Sequence, residues 1–229
     1  MQAIILAGGF GTRLRSVIAD LPKPLAPIHD KPFLAYLLHY LKSQGVTHIV
    51  LSVHFMGEKI QDYFKSTFEG LKIDYAIEKE PLGTGGAILH SLNFIDPQKP
   101  VFVLNGDTFL KCDYKKMLQA HGNSQLTMAL RPVPDVSRYG YVIVKNDQVV
   151  SFQEKGIQQP GLINAGVYLL QAGLFKEYHL PEVFSFETDF LFKHINELHP
   201  RAFIVDDYFI DIGVPEDYEK ARQDFSSNY

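Results

Sequence analysis

Residues Ala3-Ile4-Ile5-Leu6-Ala7-Gly8-Gly9-Phe10-Gly11-Thr12-Arg13-Leu14 run from a short apolar segment straight into a glycine-rich turn. Four consecutive apolar residues closed by small ones read as a buried strand. The glycines behind it permit a tight turn and let main-chain N–H groups approach the oxygens of a phosphate. Two better-known nucleotide loops do not fit. A dinucleotide fingerprint wants a third glycine where Leu14 stands, and a Walker A loop wants Gly-Lys-Ser or Gly-Lys-Thr, which the turn lacks.

Positive charge stands in their place. Residues 1 to 31 carry Arg13, Arg15, Lys23 and Lys31 against Asp20 and Asp30, a net of +2 in a chain whose formal charge is -4. Lys23 lies between Pro22 and Pro24, whose rings fix φ on either side and so restrict where a flexible cation can point. A solvated lysine in a proline-rich turn is the plain alternative, and the neighbouring glycine loop and Arg13 argue against it.

Beyond the loop, apolar runs alternate with segments of helical period. Residues 48–53, 73–77 and 101–104 read as further strands, and Phe33, Leu34, Leu37, Leu38 and Leu41 as the inner face of a helix that Gly45 ends. Ile60, Tyr63 and Phe64 repeat the helical spacing more briefly. Strand alternating with helix predicts a mostly parallel sheet covered on both faces. The second half is richer in strands, at 126–130, 140–144, 149–154 and 162–170, which predicts a mixed-sheet lid appended to or inserted in an α/β core. At 229 residues, 46% of them hydrophobic, one domain over 1–229 is expected, with nucleotide bound by about 1–110 and the second substrate by about 111–229.

Composition bounds the function. The charge balance favours neither a nucleic-acid nor a membrane partner, and no run approaches the ~20 apolar residues of a membrane helix. The single cysteine, Cys112, suits a reducing, cytoplasmic setting. Nine histidines show no metal-ligand spacing. Whether copies assemble into a homo-oligomer is left open.

Acidic residues complete the chemistry. Leu104-Asn105-Gly106-Asp107 places a carboxylate where a parallel strand ends, the edge at which open α/β sheets bind ligands. Phe209-Ile210-Asp211-Ile212-Gly213 has the same shape. Two such carboxylates, with phosphate oxygens and water, make a hard octahedral site for Mg²⁺. Asp107 alone also reads as a turn aspartate. Glu80-Pro81-Leu82-Gly83-Thr84-Gly85-Gly86-Ala87 enters a helix through small residues, against which a flat base or ribose can lie. Glu154-Lys155 and Asn164-Ala165-Gly166 offer a cation for a phosphate and an amide for hydroxyls, though spacing alone reads them as a surface ion pair and a strand turn. Tyr139-Gly140 is equally ambiguous.

The ordered set GGFGTRL, LPKPL, EPLGTGGA, NGDT, EK, NAG and DIGVPEDY resembles the sugar-1-phosphate nucleotidyltransferases from Met1 to about Tyr218. Within them LPKPLAPIHDKPFL, IEKEPLGTGGAI and FIDIGVPEDY are most similar to the heptose 1-phosphate guanylyltransferases. Mannose-1-phosphate guanylyltransferases and N-acetylmuramate-1-phosphate uridylyltransferases follow. The resemblance implies a three-layer, Rossmann-like (GT-A-like) α/β fold with a small strand-rich sugar-binding lid. It further implies a reaction of GTP with D-glycero-α-D-manno-heptose 1-phosphate that serves surface polysaccharide synthesis. In this frame Leu6, Ala7, Gly8, Gly9, Gly11, Thr12 and Arg13 hold the triphosphate, and Gly83, Thr84 and Gly85 line the nucleoside. Guanine offers N1–H and N2–H₂ donors, for which a carboxylate such as Glu80, or backbone carbonyls of the glycine segment, are the expected acceptors. Lys23 contacts the reacting phosphates, while Asp107 and Asp211 hold Mg²⁺. Arg13, Lys23 and Asp107 are the expected catalytic residues. Tyr139, Gly140, Glu154, Lys155, Asn164 and Gly166 face the sugar phosphate. An inactive regulatory subunit of the same fold would be expected to lose some of these charges, and a dinucleotide-dependent dehydrogenase would need the missing glycine.

Overall fold

The computed structural model describes residues 1–14, 18, 20–153 and 156–228. In chain order the strands are β1 (Gln2–Leu6), β2 (Pro27–Ile28), β3 (Lys31–Pro32), β4 (His48–Val53), β5 (Thr67–Phe68), β6 (Leu71–Ile77), β7 (Val101–Asn105) and β8 (Thr108–Leu110). They continue with β9 (Leu126–Val133), β10 (Tyr141–Lys145), β11 (Gln148–Gln153), β12 (Gly161–Leu170), β13 (Arg201–Ile204) and β14 (Phe209–Asp211). The α-helices are α1 (Phe33–Ser43), α2 (Gly57–Phe64), α3 (Gly83–Ser91), α4 (Tyr114–His121), α5 (Phe192–Leu198) and α6 (Pro215–Asn228).

Among the described residues ten strands form one sheet in the order β10-β11-β13-β9-β12-β7-β1-β4-β6-β5. Strand β1 lies parallel to both β4 and β7, with Ile4 opposite Val50 and Val103. Such a strand is covered on both faces, which is why it reads as an unbroken apolar run. Ala3 and Ile5 enter one core with α1, α4 and α6, while Ile4 enters the other with Ile88 of α3 and Ile195 of α5. Helix α1 buries Phe33, Leu34, Leu37, Leu38 and Leu41 as their spacing predicts. Gly45, at φ +93°, turns the chain beyond it.

The strand-rich second half is continuous with this sheet rather than forming a separate one. Strand β12 pairs antiparallel with β7 and, on its other side, with β9, carrying the sheet from the parallel half into the later strands. It also touches β10 through Val142 and Leu162, so the far end of the sheet closes back onto β12. The small sheet β14–β8 sets Asp211 opposite Thr108, which brings residues a hundred positions apart to one place. No helix among the described residues is long and apolar enough to cross a membrane.

Candidate active site

The glycine turn leaves β1 at the carboxyl edge. Gly11 sits at φ +57°, and a Cβ there would come within 3.1 Å of the Lys23 side chain. The loop therefore needs glycine both for its turn and for the cation packed behind it. Arg13 follows, exposed, on the 3-10 turn Thr12–Leu14. A cavity of about 190 Å³ opens here, lined by Gly9, Gly11, Arg13, Lys23, Asp107 and Gly213 among others.

Lys23 begins a second 3-10 turn whose preceding residue, Pro22, is extended at φ -67°. The turn points its ammonium inward, where only 12% of the side chain is exposed. Lys23 Nζ donates to Asp107 Oδ2 at 2.5 Å and lies 3.6 Å from Asp211 Oδ1. Ile212 N–H donates to Asp107 O (3.0 Å) and Gly213 N–H to Asp211 Oδ1 (2.8 Å), which ties the two acidic segments together. Burial, then the negative charge of Asp107, raise the Asp211 pKa above its ordinary value, and Lys23 opposes them. Two carboxylates held beside one cation form a donor set suited to a hard divalent ion, with the lysine ammonium already in the position of a counter-charge.

Next to this cavity lies a more apolar one, of about 220 Å³, lined by Gly8, Phe10, His54, Glu78, Gly83 and Thr84 among others. Not every residue expected at the nucleoside lines this cavity. Glu80 is exposed and outside the cavity, whereas Glu78 is 8% exposed and lines it. Glu78 Oε1 accepts from Ser52 Oγ at 2.8 Å, and Oε2 accepts from Leu82 N–H at 3.1 Å. Gly85 is also outside the cavity's lining. It is buried away from the cavity, and an added Cβ would overlap the ring of Phe184. Gly83 and Thr84 do line it. His54 Nδ1 pairs with Glu78 O (2.9 Å), and Phe10, 46% exposed, stands edge-on to the His54 ring.

A larger cleft of about 720 Å³ runs from Asp211 past Tyr139, Gly140, Asn164 and Glu187 to Phe152 and Phe192, whose rings stack at 4.4 Å. Strand β12 shifts register between Asn164 and Tyr168, and Gly166 within the shift has φ +68°. This irregularity re-aims Asn164 toward the cleft, as bulges do. Asn164 Nδ2 donates to Glu187 Oε1 (2.8 Å), as does the Tyr168 hydroxyl (2.6 Å). Gly166 itself stands behind the cleft against Asn105. Glu154 and Lys155 lie outside the described residues, as does Arg15.

Glu78, His54, Glu187 and the Phe152–Phe192 pair were not singled out by the sequence. For Glu78 a signal existed. Strand alternation in β6 puts it on the same face as buried Ala76. Glu187 reads in sequence as an ordinary acid in a first helical turn.

The chain matches a family model described as nucleotidyl transferase over residues 2–228. It is 52% identical over 219 residues to the D-glycero-alpha-D-manno-heptose 1-phosphate guanylyltransferase of Campylobacter jejuni, covering 95% of this chain and 97% of that one. A protein of the same name from Aneurinibacillus thermoaerophilus is 46% identical over 226 residues, covering 98% of each. Among solved structures, HddC from Yersinia pseudotuberculosis complexed with GMP-PN is similar at 43% identity with a TM-score of 0.87, over 98% of this chain and 99% of that one. With a glycine loop, two cations and two carboxylates gathered at one sheet edge, and a family model spanning nearly every residue, the chain belongs to the nucleotidyl transferase family.

Proposed function

We propose that the chain is a guanylyltransferase that joins GTP to D-glycero-α-D-manno-heptose 1-phosphate, yielding GDP-heptose and pyrophosphate for surface polysaccharide synthesis. The observation that carries this reading is the adjacency of three clefts. A cavity with Lys23 on Asp107 and Asp211 adjoins an apolar cavity holding a buried glutamate and a larger cleft in which Asn164, Glu187 and Tyr139 stand among aromatic rings. The names of the near-full-length relatives supply the base and the sugar. One domain serves both, about 1–110 for nucleotide and about 111–229 for sugar phosphate, with Asp211 reaching back across the boundary.

An oxygen of the sugar phosphate attacks the α-phosphorus of GTP. The new P–O bond forms as the α–β bridging P–O bond breaks, and pyrophosphate leaves. The nucleophile is already an anion, so no general base is needed. What is needed is in-line positioning of two polyanions and relief of their repulsion. Main-chain N–H groups of the glycine loop and the Arg13 guanidinium face the triphosphate, and Lys23 faces the reacting phosphates. Asp107 and Asp211 would hold Mg²⁺, which when bound neutralises charge on the phosphate oxygens. The Glu78 carboxylate oxygens each retain an acceptor position beyond the bonds from Ser52 and Leu82, which suits the paired donors of guanine. Asn164, Glu187 and Tyr139 would meet sugar hydroxyls, with Lys155 as the cation for the sugar phosphate. A reducing cytoplasm suits Cys112, which is buried and free, its thiol pushed up to about 12 by burial.

The test is pyrophosphate release from four nucleoside triphosphates against a panel of sugar 1-phosphates. GTP with the heptose phosphate is expected to be fastest, since an adenine would leave the buried acceptors unpaired. Weaker activity with mannose 1-phosphate is expected, because one further hydroxylated carbon changes recognition only modestly in an open cleft. Equal rates with ATP or UTP would overturn the base. Faster turnover of mannose 1-phosphate would move the chain to the mannose branch.

A further inference from the structure

The segment 182–187 lies between the nucleoside cavity and the sugar cleft and is bonded to both. Toward the nucleoside side, Gly85 N–H donates to Phe184 O at 2.9 Å, and Phe184 N–H donates to Leu82 O at 3.0 Å. A side chain at Gly83 would come within 2.5 Å of Phe184 O, and one at Gly86 would overlap Glu182. The glycine run opening α3 is thus shaped by this segment as well as by the cavity. Toward the sugar side, Glu187 Oε1 accepts from Asn164 and Tyr168. The link between the sides is Phe186 N–H, which donates to Thr84 Oγ1 at 2.9 Å across 102 residues of sequence. Phe186 opens the π-helix Phe186–Leu191, and Ser185 before it caps Thr188. The first N–H groups of a helix have no acceptor within it, and Phe186 is buried, so its donor needs a partner from elsewhere. Thr84 supplies that partner while lining the nucleoside cavity.

We infer that Thr84 is a positioning residue for the sugar-phosphate cleft: its hydroxyl caps the turn that carries Glu187 and couples occupancy of one cleft to the geometry of the other. A nucleoside seated against Thr84 restrains its rotamer, which fixes the acceptor for Phe186 and hence the placement of Glu187 beside Asn164. Coupling of this kind is reciprocal, so sugar phosphate should tighten nucleotide by the factor that nucleotide tightens sugar phosphate. The inference rests on the proposed assignment of the two clefts.

The experiment compares Thr84→Val, which keeps the shape but cannot accept, with Thr84→Ser, which can, and with Glu187→Gln. Steady-state KM is measured for each substrate, and calorimetry measures sugar-phosphate affinity with and without a non-hydrolysable GTP analogue. Stranding a buried donor predicts that Thr84→Val raises the sugar-phosphate KM about tenfold, by more than it raises the GTP KM. It also predicts loss of the affinity gain given by the analogue, with Thr84→Ser restoring both to within about twofold. A Thr84→Val enzyme whose sugar-phosphate KM is unchanged while Glu187→Gln raises it, or whose GTP KM rises as much or more, overturns the coupling. A sugar-phosphate KM unmoved by Glu187→Gln overturns the cleft assignment itself, and the coupling with it.

Discussion

Lys23 sits where two carboxylates would otherwise repel each other. Its ammonium is 2.5 Å from Asp107 and 3.6 Å from Asp211, and both aspartate side chains are about one-third exposed, so solvent screens part of the interaction. The pair is therefore a site for positive charge whose protein counter-ion is the same lysine assigned to the phosphates. Replacing either aspartate by asparagine retains the shape, and at Asp211 the side-chain oxygen can still accept from Gly213 N–H. It removes the charge a hard cation requires. Asp107→Asn and Asp211→Asn are each expected to lower kcat by ~10²-fold or more while leaving circular dichroism unchanged, the scale seen when one preorganised electrostatic contact is lost. Turnover near wild type at limiting Mg²⁺ would remove that aspartate from the proposed metal site.

At the scale of elements, the informative feature is the irregular stretch of β12. A regular strand would alternate Asn164, Gly166 and Tyr168 on one face. The register shift lets Asn164 and Tyr168 converge on Glu187 while Gly166 backs onto Asn105. A Cβ at Gly166 would stand 2.6 Å from Asn105 Nδ2, on a backbone at φ +68° that L side chains rarely adopt. Gly166→Ala should therefore cost about 1 kcal/mol or more from the backbone alone. It should push β12 from β7 and raise the sugar-phosphate KM more than the GTP KM. Thermal melts and the two KM values check this, and an unchanged melt with unchanged KM values would show that the bulge tolerates a side chain. The same stretch explains why the asparagine-glycine pair read ambiguously in sequence: a bulge and a strand turn call for the same residues.

Across the whole molecule, legibility followed how local the physics is. Strands β1, β4 and β7 and helix α1 were readable because burial of both strand faces and of one helix face writes itself into periodicity. Of the strands of the second half, β9 to β12 were readable along the chain, whereas β13 and β14 were not, and the β12–β7 pairing that merges the later strands with the parallel half joins residues some sixty positions apart and has no local mark. In the site, Arg13, Lys23, Asp107 and Asp211 stood out as charges at strand ends and in proline-fenced turns. Glu78 carried only the alternation of β6, which Glu80 shares, so which of the two turns inward depends on where β6 stops and α3 packs. One buried group illustrates the long-range remainder. His121 closes α4 at 1% exposure, its Nδ1 2.7 Å from Thr127 Oγ1 and its Nε2 3.2 Å from the Gln171 amide nitrogen. An amide nitrogen only donates, so Nε2 accepts and the ring is neutral, with its proton on Nδ1. Burial lowers its pKa below the ordinary 6.5. The unfolded chain then binds this proton first as the pH drops, so the stability His121 contributes is complete above about 6.5 and is lost as pH falls through the folded-state value. Chemical denaturation at pH 7.5 and pH 5 should show wild type losing more stability over that interval than His121→Gln, which cannot titrate. Identical losses in the two proteins would mean that the His121 ring is protonated in the fold as readily as out of it.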